Sequence, residues 1–196
     1  IHKRFRMKHF VVQDINTYDL LKPLNEMLDS GTLQWTQNQI SLTNPKGHDD
    51  HTFGVGSLYL DYENSHRHVN DAGNEEIRVP RFENPLQEKD FTETCSVFQG
   101  TVFEEMLNEL KSKYTIGRTR IMMLQPRYTM SWHCDTENRL HFPIKTQAGC
   151  HMIIEDEVLS LQQDTWYWTE TSKYHTALNA SSESRIHVVS VLVEEK

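Results

Sequence analysis

With 196 residues, 37% of them hydrophobic, the chain is sized for one compact domain with an ordinary core, which excludes wholesale disorder. Its 28 acidic against 20 basic residues, a net charge of -8, exclude a dominant role on nucleic acid or an anionic membrane, since either polyanion calls for a basic face. No apolar run approaches a membrane span or a signal-peptide core, and three cysteines without a CxxC pair fit a reducing, cytoplasmic setting rather than a disulfide framework.

Within the single domain expected over 1–196, residues 1–116 read as a helical and loop-rich support region and 117–196 as a β core. Over 18–29, Leu20, Leu21, Leu24, Met27 and Leu28 recur at helical spacing; Gly31 offers a stop, and Pro23 falls where it would kink a helix begun at Thr17. From 44 to 84 the chain is crowded with Gly, Asn, Asp and His, including His48-Asp49-Asp50-His51 and His66-Arg67-His68. That composition predicts long loops with one strand over 57–62. Loop histidines of this kind are more often solvated or structural than metal ligands, and a lid over a site is the functional alternative. Thr101 and Glu104 make a capping-box pair ahead of the stripe Val102, Phe103, Met106, Leu107, Leu110 and Tyr114, so a helix packed on a sheet is predicted over 101–114.

After Gly117 the pattern changes to short strands, expected over 118–124, 129–133, 151–155, 158–161, 165–168, 175–179 and 186–193. Their spacing predicts an antiparallel sandwich or barrel of the jelly-roll and cupin kind, so the fold class is mainly β with N-terminal helices. The last strand is the best defined, being rich in the β-branched residues Ile186, Val188, Val189, Val191 and Val193. Trp166 and Trp168 share one strand face; they and Trp132 can line a substrate cavity, although burial habits favour the core.

His133 and Asp135 are two apart, so on an extended strand both side chains point to one face and can offer a nitrogen and an oxygen to one ion. His175 follows forty residues after Asp135 on another predicted strand. Two histidines and one carboxylate make the facial triad of non-haem Fe(II) oxygenases. Zinc hydrolases use the same ligand types, but their helical HExxH signature is absent. A cupin-like protein holding a metal or small anion without turnover, or ordinary hydrogen-bonded strand residues, are the other readings. Arg185 stands where a guanidinium can clamp a carboxylate bidentately. Arg139 and His141 alternate like the ligand pair and can form a second anionic pocket. Arg78, Arg81, Arg118, Arg120 and Arg127 are all available for a substrate carboxylate, with nothing to choose among them. Cys134 and Cys150 read as packed thiols.

The ordered set His133-Cys134-Asp135, Arg139-Leu140-His141-Phe142-Pro143-Ile144, Gly149-Cys150, His175 and Arg185, with a Pro126 turn ahead of it, resembles the aspartyl/asparaginyl β-hydroxylase family over about residues 121–193. The resemblance implies a double-stranded β-helix that binds Fe(II), with 2-oxoglutarate and dioxygen as cosubstrates. It implies His133, Asp135 and His175 as the metal ligands of the catalytic centre and Arg185 as the residue holding the distal carboxylate of 2-oxoglutarate. Arg139 and His141 match positions that contact a cosubstrate carboxylate in the animal peptide hydroxylases. Those animal enzymes have glycine where Asp135 stands, so this chain is more similar to bacterial members, including those that hydroxylate free proline. A serine that contacts the cosubstrate in the animal enzymes corresponds to Met122. The implied activity is hydroxylation of an unactivated carbon in an amino acid or similar small molecule, with a peptide as the alternative substrate.

Overall fold

The computed structural model describes residues 7–60 and 79–195. Before the β core come β1 (His9–Val11), α1 (Leu21–Asp29), β2 (Gln39–Ser41), β3 (Thr43–Asn44), β4 (Tyr59–Leu60), β5 (Val79–Pro80), β6 (Glu93–Thr94) and α2 (Val102–Lys113). The core itself holds β7 (Tyr114–Leu124), β8 (Tyr128–Thr129), β9 (Arg139–Lys145), β10 (Cys150–Ile154), β11 (Glu157–Leu159), β12 (Tyr167–Thr169), β13 (His175–Asn179) and β14 (Arg185–Glu195). A six-stranded sheet runs β1-β12-β9-β14-β7-β2 and a four-stranded sheet β11-β10-β13-β8, with every pairing antiparallel. Side chains of both sheets line one cavity between them, the arrangement of a jelly roll.

A strand turns successive side chains to opposite faces, and in the central strands this separates core from site. Leu140, Phe142 and Ile144 of β9, Ile121 of β7, and Ile186 and Val188 of β14 join a cluster with Leu24 of α1 and with Phe103, Met106, Leu107 and Leu110 of α2. Their immediate neighbours Arg139, His141, Arg120, Met122, Arg185 and His187 line the cavity on the other face. The helices therefore seal one side of the large sheet, leaving its opposite side to chemistry. Trp166 and Trp168 lie in the helix-side cluster, so their shared face is a core face. Trp132, 48% exposed, stacks on Tyr174 with ring centroids 6.4 Å apart.

Thr101 caps α2 with its hydroxyl accepting from the Phe103 amide at 3.3 Å. Glu104 reaches one residue beyond the expected box, accepting from the Gly100 amide, because the Thr101 amide is already bonded to the Phe98 carbonyl. The helix ends at Lys113, and Tyr114 opens β7. Helix α1 begins at Leu21 rather than at 18, which puts Pro23 in the first turn where its missing N–H breaks no intrahelical bond.

The strand over 175–179 has the bounds expected of it, whereas 118–124 and 186–193 are parts of longer strands. The strand expected over 129–133 shortens to β8 plus an isolated bridge between His133 and His175. The one expected over 165–168 moves to β12, because the Trp166 carbonyl accepts from Val12 instead. Strand β9, absent from the expected set, lies at the centre of the large sheet despite Pro143. Pro143 pairs with His187 where the register of β14 shifts between Ile186 and His187, so the missing N–H falls at a break in the ladder. Strands β1 and β2, from the N-terminal region, form both edges of that sheet.

Over 44–84 the described residues are loops with short strands, and the acidic-histidine run is in structural use. The His48 ring stacks on Phe53, Asp49 accepts from the Ser96 amide and Asp50 from the Thr52 amide. His66-Arg67-His68, and Asp61 and Tyr62 of the expected strand, lie outside the described residues. Among the described residues no helix is long and apolar enough to cross a membrane.

Candidate active site

His133 and His175 face each other as a hydrogen-bonded pair, His133 N–H to His175 O at 3.1 Å and His175 N–H to His133 O at 2.8 Å. Asp135, two residues on, is pinned by its amide to Thr171 O at 2.9 Å. The ligand atoms of the three side chains lie within 4.8 Å of one another. An Asp135 oxygen stands 3.6 Å from His175 Nε2 and another 4.0 Å from His133 Nε2. Two ligands about 2.1 Å from one ion and at right angles are about 3.0 Å apart, so the trio would draw together by up to about 2 Å around a single first-row metal. Each imidazole meets a backbone carbonyl through Nδ1, His133 with Ser131 O at 2.7 Å and His175 with Lys173 O at 2.9 Å. A carbonyl only accepts, so Nδ1 carries the proton and the Nε2 lone pair is left for a metal.

The cavity around this trio is cationic and short of hydrogen-bond partners. Arg139 Nε donates to Asp135 Oδ2 at 2.9 Å. Burial pushes the Asp135 carboxyl up, but the Arg139 guanidinium outweighs it and holds the acid at about 2, so it is ionised at neutral pH. Behind Arg139 lies Glu88, with Oε2 3.5 Å from Arg139 Nη1 and Oε1 accepting from Arg118 Nη1 at 3.2 Å. Burial raises the Glu88 carboxyl; the charges of Arg120, Arg139 and Arg118 bring it back below its ordinary range.

On the other side, Arg185 Nη2 meets His187 Nδ1 at 3.0 Å, and the His141 and His187 rings stand edge to face, 6.0 Å apart. Burial, reinforced by the Arg185 charge, lowers His141 to about 3 and His187 well below its ordinary value, so both rings are neutral at pH 7. Arg185 is lowered by burial to about 10 and stays protonated. Both nitrogens of His141, Nε2 of His187, Nε of Arg120 and Nη1 of Arg139 are buried without a hydrogen-bond partner. Unpaired buried donors cost stability, and a bound carboxylate is what would satisfy them. The donor set thus fits Fe(II), and its surroundings fit an oxoacid.

All six residues singled out in the sequence, His133, Asp135, His175, Arg139, His141 and Arg185, line this one cavity. Met122 lines it as well, paired across the sheet with His187. His187 was missed, though its place two residues after Arg185 on a strand is the signal that would have found it. Glu88 was missed because nothing local marks a carboxylate on a short 3-10 turn as the partner of three distant arginines. Cys150 is buried and its thiol donates to Asn179 at 3.3 Å, a packed thiol as expected.

Residues 57–194 match the family model described as aspartyl/asparaginyl beta-hydroxylase. Among solved structures, the chain is similar to an oxidoreductase of the 2OG-Fe(II) oxygenase family from Burkholderia pseudomallei, with TM-score 0.37 and 15% identity over 46% of this chain and 48% of that one. It is similar to a viral collagen prolyl hydroxylase from Paramecium Bursaria Chlorella virus-1, solved as its 2OG complex, with TM-score 0.35 and 14% identity over 51% of this chain and 72% of that one. A cupin domain from Bordetella pertussis gives TM-score 0.34 and 14% identity over 38% of this chain and 79% of that one. A search of curated proteins found no match. The family match takes in more than two thirds of the sequence, including every residue of the cavity named above, and on that basis the chain belongs to the aspartyl/asparaginyl β-hydroxylase family and is a 2-oxoglutarate-dependent dioxygenase.

Proposed function

We propose that His133, Asp135 and His175 hold Fe(II), that Arg185 holds the distal carboxylate of 2-oxoglutarate, and that the protein hydroxylates an unactivated carbon of a free amino acid or similar small molecule. The observation that carries this reading is the convergence of the three ligand atoms within 4.8 Å, in a cavity that also holds buried Arg185. When bound, iron and cosubstrate supply an oxidation that side-chain acids and bases cannot perform, with succinate and carbon dioxide as coproducts.

The protein's own work is orientation and the exclusion of water. The Ser131 and Lys173 carbonyls fix the tautomers of His133 and His175. Arg139 holds Asp135 ionised and aimed at the two rings. Its Nη1, in an ion pair with Glu88 but without a hydrogen bond, and the neutral His141 ring remain as donors toward a cosubstrate carboxylate. Arg185 presents a forked guanidinium, which fixes a carboxylate in angle as well as in position. The carboxylate ligand Asp135 is the feature that favours a small-molecule substrate over a peptide, through the resemblance to bacterial members.

The test is an anaerobic titration of the Fe(II)-loaded protein with 2-oxoglutarate, following the visible charge-transfer band of a chelated ketoacid. A saturable band in the wild type, lost in Asp135→Ala and shifted to at least tenfold higher cosubstrate concentration in Arg185→Ala, is expected. Bound iron with no band at any concentration would refute the assignment.

A further inference from the structure

Among the described residues, one of the arginines singled out for a substrate carboxylate faces the site. Arg127 is exposed in a turn at φ 55. Arg81 gives Nη1 to Val55 O at 2.6 Å. Arg118 is committed on every side, through Nε to Gly54 O, Nη2 to Gly56 O and Nη1 to Glu88. Arg78 lies outside the described residues. Arg120 differs from all of these: it is 8% exposed, it lines the cavity that holds the metal trio, and its Nε has no partner. Among the described residues its guanidinium is held through Nη1, by Gln39 Oε1 at 2.8 Å with Gly56 O farther off at 3.4 Å.

The position of Arg120 separates it from the cosubstrate clamp. Arg185 pairs with Leu124, whereas Arg120 pairs with Val189, four residues away along each strand. That interval is about 13 Å of strand. The four C–C bonds of a five-carbon diacid, each about 1.5 Å, span about 6 Å at most. A diacid anchored on Arg185 and directed at the metal trio therefore leaves Arg120 unaccounted for. Among the described residues, the charges that act on Arg120 are Arg118 and Arg139 against Glu88 and Asp135, with Glu137 acting on Arg139 as well. A buried guanidinium with an unpaired donor is costly unless an anion takes that donor.

We infer that Arg120 anchors the carboxylate of the substrate, at the end of the cavity remote from Arg185, and that the enzyme selects a free carboxylic acid such as an amino acid over its amide or a peptide bond. Glu88 acts as a positioning residue that keeps the three guanidiniums together without neutralising them. The inference rests on the proposed function, since it places the substrate relative to the cosubstrate clamp.

The probe is an equimolar mixture of the twenty common L-amino acids, added to the full chain loaded with Zn(II) and 2-oxoglutarate and read by saturation-transfer NMR. The same mixture prepared as C-terminal amides is the comparison. At least one free acid binds and its amide binds at least tenfold more weakly. Arg120→Gln then loses the amino-acid signal, while the anaerobic charge-transfer titration with 2-oxoglutarate moves less than twofold. Should Arg120→Gln fail to fold, Arg120→Lys retains the charge beside Glu88 and is expected to bind the acid with intermediate strength. The acid–amide comparison uses the wild type and does not depend on a variant. Equal binding of acid and amide, a loss of 2-oxoglutarate affinity as large as that of the amino acid, or no bound amino acid in a protein that still forms the charge-transfer band would overturn it. Absence of the band itself would instead refute the cofactor assignment.

Discussion

His141 shows how one side chain can be tuned for a site at a cost in stability. Its ring is buried beside Arg185 without a hydrogen-bond partner, and burial lowers it from 6.5 to about 3. Between those values the unfolded chain binds a proton that the folded chain refuses, so stability is lost as pH falls below 6.5. For one such group the loss approaches about 2 kcal/mol at about pH 5. Urea unfolding of the metal-free protein at about pH 7.5 and about pH 5 measures it: His141→Gln should narrow the difference between the two midpoints, and an unchanged difference would deny His141 that role. The ring's alternation with Arg139 was legible in sequence, because a period of two needs no tertiary information. Its neutrality was not, since that depends on burial in the folded cavity, reinforced by Arg185 forty-four positions away.

Helix α2 and strand β7 form a continuous unit in which a helix packed on the large sheet leads directly into the strand that carries Arg118 and Arg120. Thr101→Ala removes a cap and is expected to cost about 1 kcal/mol. Gly117 matters for a different reason, because a Cβ there would fall on the Glu88 carbonyl and the adjacent backbone. Gly117→Ala is therefore expected to destabilise by at least as much as Thr101→Ala and also to weaken amino-acid binding, by displacing Glu88 from its arginines. Denaturant melts and the NMR binding experiment separate the two variants, with Thr101→Ala affecting only the first. The stripe and cap of α2 could be read from the sequence because the pattern is local. Strand β9 could not, since Pro143 argues against a central strand until the register break opposite it is known.

In the whole molecule, a chain of net charge -8 encloses a cavity lined by arginines, so the field that draws in carboxylates is confined to the site. Ligand binding to such a site is coupled to folding by mass action. At a hundredfold excess over its dissociation constant a metal adds about 2.7 kcal/mol, which for a domain of this size is about 5–10 °C in Tm. Adding Mn(II) to the chelator-stripped protein should produce a rise of that order, and Asp135→Ala should abolish it. A rise of equal size in the variant would place the metal elsewhere.

Residue identity and spacing were enough to predict the alternating faces of the later strands, the capped helix α2, and the shared face of His133 and Asp135, because each follows from a period of two or 3.6 within a short segment, whereas His175 and Arg185 joined that pair only through the resemblance of the ordered set. They were silent on the pairing of His133 with His175, on β1 and β2 as the edges of the large sheet, and on which of the described arginines lines the cavity with His133, Asp135 and His175. Those depend on register between strands far apart in the chain, where a shift of one residue would exchange the core face for the cavity face. Only the folded arrangement commits Arg118 to Gly54, Gly56 and Glu88 and leaves Arg120, two residues on, turned toward the site with its Nε unpaired.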